Sequence, residues 1–288
     1  MTKRLIINAD DLGADKGRNA GILEGVCAGI VKSVSLLANS CSLNDVFRDV
    51  EAGKFSGVSI GIHLNLSEGK PTSNDLRLLA GTDGAFRGKA AAQQLCLQEG
   101  NSDLEKEISR EVESQIASLR RAGIPISHMD GHQHIHVFPA VRRVAFQAAK
   151  KFGIPWVRIP HEPCPLSDRE KIPEALRSEA KLFSDLGGKA LALLSGTGIR
   201  TTDHFCGLYL RGFFPSDRLE GCLHRLSEGV TEWMVHPGRL PAGGVAGPFS
   251  NFSTIDRERE LNALLSSSFG ETVLRTGVRL ISFLEAHP

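Results

Sequence analysis

The sequence predicts an α/β fold, a parallel sheet closed into an irregular (β/α) barrel, on three observations. Short apolar segments recur along the chain, and most are followed by a stretch of helical periodicity, the sequence form of repeated βα units. Asp, His and Arg collect just after those segments, where a parallel barrel opens all its carboxyl-terminal strand ends on one face. A chain of 288 residues that is 41% apolar can bury a large core, and no composition break or Pro-rich linker divides it. An open doubly wound sheet is the alternative that the same alternation allows. One domain spanning 1–288 is expected, with an excursion over the cleft at about 65–102, where GKP and TDG turn signals replace clean periodicity.

Strands are expected near Leu5–Ala9, Ser33–Ala38, Val58–His63, Ile126–Met129, Trp156–Ile159, Arg200–Asp203, Glu232–Val235 and Arg279–Ser282. The clearest helix is 103–122, where Leu104, Ile108, Val112, Ile116 and Leu119 recur at spacings of three and four and Gly123-Ile-Pro125 ends the run. Pro139 suits the first turn of another, with Val141, Val144, Ala145 and Ala148 facing inward. Further helices are expected at 15–30, 42–52, 170–194, 215–227 and 254–268.

Thirty-four basic and 33 acidic residues are mixed along the chain, so no broad basic face is offered to nucleic acid or an acidic membrane. No apolar run approaches the ~20 residues of a membrane span, and Leu5 to Ile7 falls far short of the roughly 7–15 residues of a signal-peptide core. The six cysteines, Cys27, Cys41, Cys96, Cys164, Cys206 and Cys222, form no CxxC pair, which suits reduced thiols in a cytoplasmic enzyme. No GxGxxG or GxxxxGK[ST] loop supports nucleotide binding. The expected partner is a small molecule.

HMDGHQHIH, from His128 to His136, holds four of the ten histidines and an aspartate directly after an apolar stretch. Imidazoles with a nearby carboxylate are the ligand set of a transition-metal site that keeps positions open for water or substrate. NADD (Asn8 to Asp11) and GIHLNL (Gly61 to Leu66) each place Asp or His after an expected strand. Two adjacent carboxylates repel, and a cation relieves this with one as ligand and the other free as base, although Asp10-Asp11 could equally cap the next helix. Gly131 lets the chain turn, so His132 can reach the cleft from a new direction. Not all four histidines of the run can be metal ligands. Later in the chain Arg158 sits in WVRIP, Asp203 and His204 end the segment RTTDHF, and His236 follows Trp233–Val235.

In combination and order, NADDLGADKGRNAGI, GIHLNLSEGKP, HMDGHQHIHVFP and the late HPG resemble the YdjC-like carbohydrate deacetylases, a family that includes chitooligosaccharide and hopanoid-associated deacetylases. The resemblance spans nearly the whole chain and implies an irregular, polysaccharide-deacetylase-like barrel. It implies Asp11, His63 and His132 as metal ligands, Asp10 as general base, His236 as general acid and Arg158 as the partner that steadies Asp10. His128, Asp130, His134 and His136 then become supporting or substrate-side residues. The implied reaction is metal-dependent removal of the N-acetyl group from an acetylated amino sugar, releasing acetate. The ion is one divalent metal: magnesium by the resemblance, zinc equally reasonable for two histidines and a carboxylate. A homodimer is also implied. Phe86, His204, Phe205, Tyr209 and Arg211 are candidate sugar contacts.

Two other functions fit parts of the pattern. His128-Met-Asp130 with a distant histidine spells the H-x-D…H order of non-haem iron oxygenases, but those need a β-rich scaffold, and Asp10, Asp11 and His63 would be left without roles. The other is a non-catalytic carbohydrate-binding protein that keeps the cleft without turnover.

Overall fold

The computed structural model of the protein describes residues 2–163, 172–210, 216–241 and 243–286. The strands are β1 (Lys3–Leu12), β2 (Ser33–Leu36), β3 (Ser59–Leu64), β4 (Ile126–Gly131), β5 (Trp156–Val157), β6 (His204–Cys206), β7 (Gly229–Val235) and β8 (Arg279–Leu280). The helices are α1 (Lys16–Cys27), α2 (Leu43–Glu51), α3 (Lys89–Cys96), α4 (Ser102–Arg121), α5 (Pro139–Lys151), α6 (Glu174–Leu191), α7 (Ser216–Arg225), α8 (Ile255–Leu264) and α9 (Ser267–Thr276). All strand pairs are parallel, in the order β5-β4-β3-β2-β1-β7-β6, with β8 joining β1 off that path.

The sheet is a curled half-barrel rather than a closed ring. Beyond the edge strand β5 the pairing reduces to an isolated parallel bridge, Trp156 with Arg200, which lies four residues before β6. The expected strand at Arg200–Asp203 is displaced as a result. Arg200 makes that bridge, Thr201 and Thr202 find no ladder, and the strand forms at His204–Cys206 against β7. β-Branched residues give a segment its propensity, but a neighbour's register decides where pairing starts.

Leu104, Ile108, Val112, Ile116 and Leu119 of α4 are all fully buried, as their spacing requires, and Asn101 caps the helix by accepting the N–H groups of Asp103 and Leu104. The segment expected as one helix over 254–268 is two, because Ser266 leaves the helical conformation and its hydroxyl accepts the Phe269 N–H to start α9. Helix α3 inside the excursion was not expected. Its run KAAAQQLC buries only Ala92 and Cys96, too few positions for a visible period. Residues 170–171 of the helix expected at 170–194 and residue 215 of that expected at 215–227 lie outside the described residues.

A separate apolar cluster of Ile6, Trp156, Val230, Ile281, Phe283 and Ala286 forms where the chain end tucks under the sheet. The Phe283 N–H reaches Ser33 Oγ at 3.3 Å and the Leu284 N–H reaches Ser59 Oγ at 2.9 Å, at the start of β2 and β3. The carboxyl-terminal strand ends are left to form the cleft. No described helix is long and apolar enough to cross a membrane, and no disulfide joins the described cysteines.

Candidate metal centre

Successive residues of a strand face opposite sides, so Asp10 and Asp11 should point apart. Instead both line one cavity with His63, His132, His134 and His236. The cause is a register shift between Ala9 and Leu12 and a φ of +65° at Asp11. A non-glycine residue in the left-handed region costs roughly 1–2 kcal/mol. The surroundings hold it there: Arg18, buried on α1, donates to Asp11 Oδ2 at 2.5 Å.

His63, near the end of β3, turns Nε2 towards Asp11 Oδ1 at 3.1 Å, while its Nδ1 lies 2.7 Å from Asp130 Oδ1. His132 follows β4, and its Nδ1 lies 2.7 Å from the same Asp11 oxygen. Donor atoms of Asp11, His63 and His132 all fall within 4.8 Å of one another, and all three side chains are buried. Two imidazoles and a carboxylate converging in this way can chelate a divalent ion. Burial raises the Asp11 carboxyl, but His132 and Arg18 outweigh it and hold the group well below the usual carboxylate range. Burial lowers His63, but Asp130, Asp10 and Asp11 outweigh it and raise the imidazole to about 10.

Asp10, His63 and Asp130 form a second cluster of donor atoms, and there the cation is already supplied. Arg158, fully enclosed, donates Nη1 to Asp10 Oδ2 at 2.6 Å, Nη2 to Asp10 Oδ1 at 2.7 Å and to Asp130 Oδ2 at 2.8 Å, and Nε to Glu232 Oε1 at 2.7 Å. Burial raises the Asp10 carboxyl above its ordinary value, and Arg158 opposes the rise without cancelling it. Glu232 is likewise pushed by burial to about 7 against the pull of Arg158.

The four histidines of HMDGHQHIH separate by depth. His128 lies beneath the site, stacked on Phe283 at 4.1 Å, with Nδ1 2.9 Å from Ser127 Oγ, and burial pushes it down to about 3. It joins neither donor cluster, so the H-x-D pair of the oxygenase pattern is not assembled. Its support reaches Asp130 through Ser35, whose hydroxyl lies 3.2 Å from His128 Nε2 and donates to Asp130 Oδ2 at 2.7 Å. His136 Nε2 lies 2.9 Å from the Arg158 carbonyl. His134, at φ +56°, lines the cavity, and its Nδ1 has no hydrogen-bond partner among the described residues.

His236 lines the cavity just after β7, with its N–H donated to Glu260 Oε1 at 2.7 Å. Phe205 is buried with its ring 5.6 Å from the Arg158 guanidinium carbon and 6.2 Å from His134. His204 is not brought to the cleft. It pairs with Thr231 near the amino-terminal end of β7, is exposed, and has Nε2 3.1 Å from the Glu228 carbonyl. Asp203, before it, accepts the Val230 N–H at 2.7 Å. Phe86 and Tyr209 are buried, and Arg211 lies outside the described residues.

Several residues of the site escaped the sequence reading. Arg18 and Glu68 lie inside the motifs NADDLGADKGRNAGI and GIHLNLSEGKP but follow no strand directly. Glu232 had a signal, a carboxylate inside the apolar run of β7. Phe252 and Arg257 come from the segment after the HPG turn and line the same cavity.

The family model described as "YdjC-like protein" matches residues 4–275. A human protein described as a carbohydrate deacetylase is 32% identical over 293 residues, covering 96% of this chain and 89% of its own length. A zebrafish protein of the same description is 31% identical over 310 residues, covering 97% of each chain. The fold is similar to the crystal structure of an Enterococcus faecalis protein described as a candidate cellobiose-phosphate cleavage protein, with a TM-score of 0.74, 23% identity, and coverage of 99% of this chain and 98% of that one. By the span of the family match and the near full-length relatives, this chain belongs to the YdjC-like family.

Proposed function

We propose that this protein is a metal-dependent hydrolase that removes the N-acetyl group of an acetylated amino sugar and releases acetate. The observation that carries the reading is the convergence of Asp11 Oδ1, His63 Nε2 and His132 Nδ1 beside a carboxylate, Asp10, that takes no part in that triad. Relatives of near full length described as carbohydrate deacetylases supply the substrate class.

Asp11, His63 and His132 would hold the ion. A divalent ion held there polarises an amide carbonyl and acidifies a water. Asp10 accepts the proton of the attacking water: its carboxyl is raised towards the range where a base works, and Arg158 fixes its orientation. His236, across the same cavity, gives a proton to the departing amine. His134 and Phe252 line the cavity where the sugar would lie. Two imidazoles and one carboxylate suit zinc, and magnesium is the alternative.

The test is an acetate-release screen over N-acetylated sugars and glycolipids, repeated after chelation and after addition of zinc or magnesium. Release that stops on chelation and returns with metal is the expected result. Undiminished release in chelator overturns the metal's role. No release across the panel with the metal-loaded protein favours a carbohydrate-binding protein without turnover.

A further inference from the structure

Glu68 belongs neither to the metal-binding triad nor to the proposed acid-base pair, yet the turn that carries it is held from several sides. Asn65 Oδ1 accepts the N–H groups of Ser67 at 2.9 Å and Glu68 at 3.2 Å, and Asn65 Nδ2 donates to the Glu68 carbonyl at 2.7 Å. Asn39 Nδ2 donates to that carbonyl at 2.9 Å. Asn65 is itself clamped by Gln115 of α4, which accepts its N–H at 3.1 Å and donates to its carbonyl at 2.6 Å. Out of this frame the Glu68 side chain, 9% exposed, brings Oε2 to 3.0 Å from His132 Nε2.

The arrangement matches that of the other histidine. Asp130 takes Nδ1 of His63 and leaves Nε2 facing Asp11 Oδ1; Glu68 takes Nε2 of His132 and leaves Nδ1 facing the same oxygen. A neutral imidazole binds metal through its bare nitrogen, and its other nitrogen carries a hydrogen that needs an acceptor. The two ring nitrogens point apart, so a carboxylate on one cannot reach an ion on the other.

We propose that Glu68 is a positioning residue that accepts the Nε2–H of His132, fixing the tautomer whose Nδ1 is free for the metal. The inference rests on the metal-site reading above. Gln133 Nε2, 3.4 Å from His132 Nε2, is a weaker neighbour and cannot accept that hydrogen.

The test is calorimetric titration of zinc, with a parallel titration of cobalt(II) followed by visible absorption, into the metal-free wild type and the variants Glu68→Ala, Glu68→Gln and His132→Ala. Glu68→Ala should bind about 10–100-fold more weakly, the usual effect of losing such a partner, with the cobalt band unchanged in shape because no ligand is lost. Glu68→Gln retains an acceptor oxygen and should recover most of the affinity, which a merely structural role for the charge would not predict. Unchanged affinity in Glu68→Ala overturns the proposal. So does a loss in both Glu68 variants as deep as that of His132→Ala with an altered cobalt band, which makes Glu68 a ligand. If His132→Ala binds zinc like the wild type, the metal-site reading itself fails.

Discussion

Arg158 grips Asp10 with both terminal nitrogens, at 2.6 and 2.7 Å, while its Nε holds Glu232 at 2.7 Å on the opposite side. Guanidinium and carboxylate are planar and matched in width, so the paired contact sets the plane of Asp10 as well as its charge. Asp10 Oδ1 also accepts Asn8 Nδ2 at 2.8 Å, which gives that oxygen two donors and Oδ2 one. The oxygen with spare lone-pair capacity is therefore Oδ2, on a side chain that lines the cavity.

Asp10→Asn should keep the metal and lose turnover by about 10²–10⁴-fold, the range of a missing general base. Zinc titration and the acetate-release rate of the same preparation check the two halves separately. Equal loss of metal in Asp10→Asn and His132→Ala would contradict the division of roles. Arg158→Ala is expected to be worse for folding, because it leaves Asp10, Asp130 and Glu232 buried without their cation. Breaking one buried pair costs about 3–5 kcal/mol, and thermal unfolding reads the loss directly.

The first and last motifs meet through a glycine contact. A Cβ placed on Gly21 of α1 would lie 2.4 Å from the Cα of Gly238, in the turn that follows His236. Gly21→Ala must push α1 and the turn apart, at a cost of about 1–3 kcal/mol for overpacking. Because the shifted turn carries His236, turnover should fall with zinc affinity little changed. Wild-type kcat in a destabilised Gly21→Ala protein would uncouple that turn from the reaction.

How much of this site the sequence displays depends on whether a residue's place follows from a strand end. Asp10, Asp11, His63 and His236 sit at or just after the ends of strands with strong apolar patterns, so their convergence is visible before any coordinates. His128 and Asp130 share a strand face, yet only depth separates a histidine stacked on Phe283 from an aspartate bound to Arg158. That depth is set by the chain end packing beneath the sheet, about 150 residues later in the sequence. Glu68 is hidden for another reason: its position comes from side chains of Asn65, Asn39 and Gln115, which leave no periodic trace. His204 shows the opposite error, where the displacement of the sixth strand from 200–203 to His204–Cys206 carries a polar residue away from the cleft.

The excursion that bears Glu68 is pinned further along by two acids of α4. Glu111, fully buried, accepts the N–H and hydroxyl of Thr72 at 2.9 and 3.1 Å and of Ser73 at 2.8 and 2.6 Å. Glu107 accepts the N–H groups of Arg77, Leu78 and Leu79. Glu111→Ala leaves those donors unsatisfied at about 1–3 kcal/mol for each one that stays buried. Amide exchange in 65–79 should accelerate while exchange in β1 and β7 stays slow. Uniform acceleration throughout the chain would show that the loop is not a separate opening unit.

Glu162 sets a pH dependence of stability that can be isolated by one substitution. The residue is 8% exposed, its Oε2 accepts the Leu208 N–H at 2.7 Å, and burial pushes its pKa from 4.5 to about 8 despite the opposing pull of that N–H and those of Gly207 and Tyr209. Between those two values the folded chain keeps a proton that the unfolded chain has released. Stability therefore falls as pH rises from 4.5 towards 8 and levels off above it. Glu162→Gln keeps an acceptor for Leu208 and has nothing to titrate. The variant should gain on the wild type as pH rises, by on the order of 5 kcal/mol above the window. Glu232 and Glu260, both raised by burial to about 7, slope the same way in either protein and cancel from the difference. Urea unfolding of both proteins at pH 5 and at pH 8.5 measures it, and parallel curves would place the proton elsewhere.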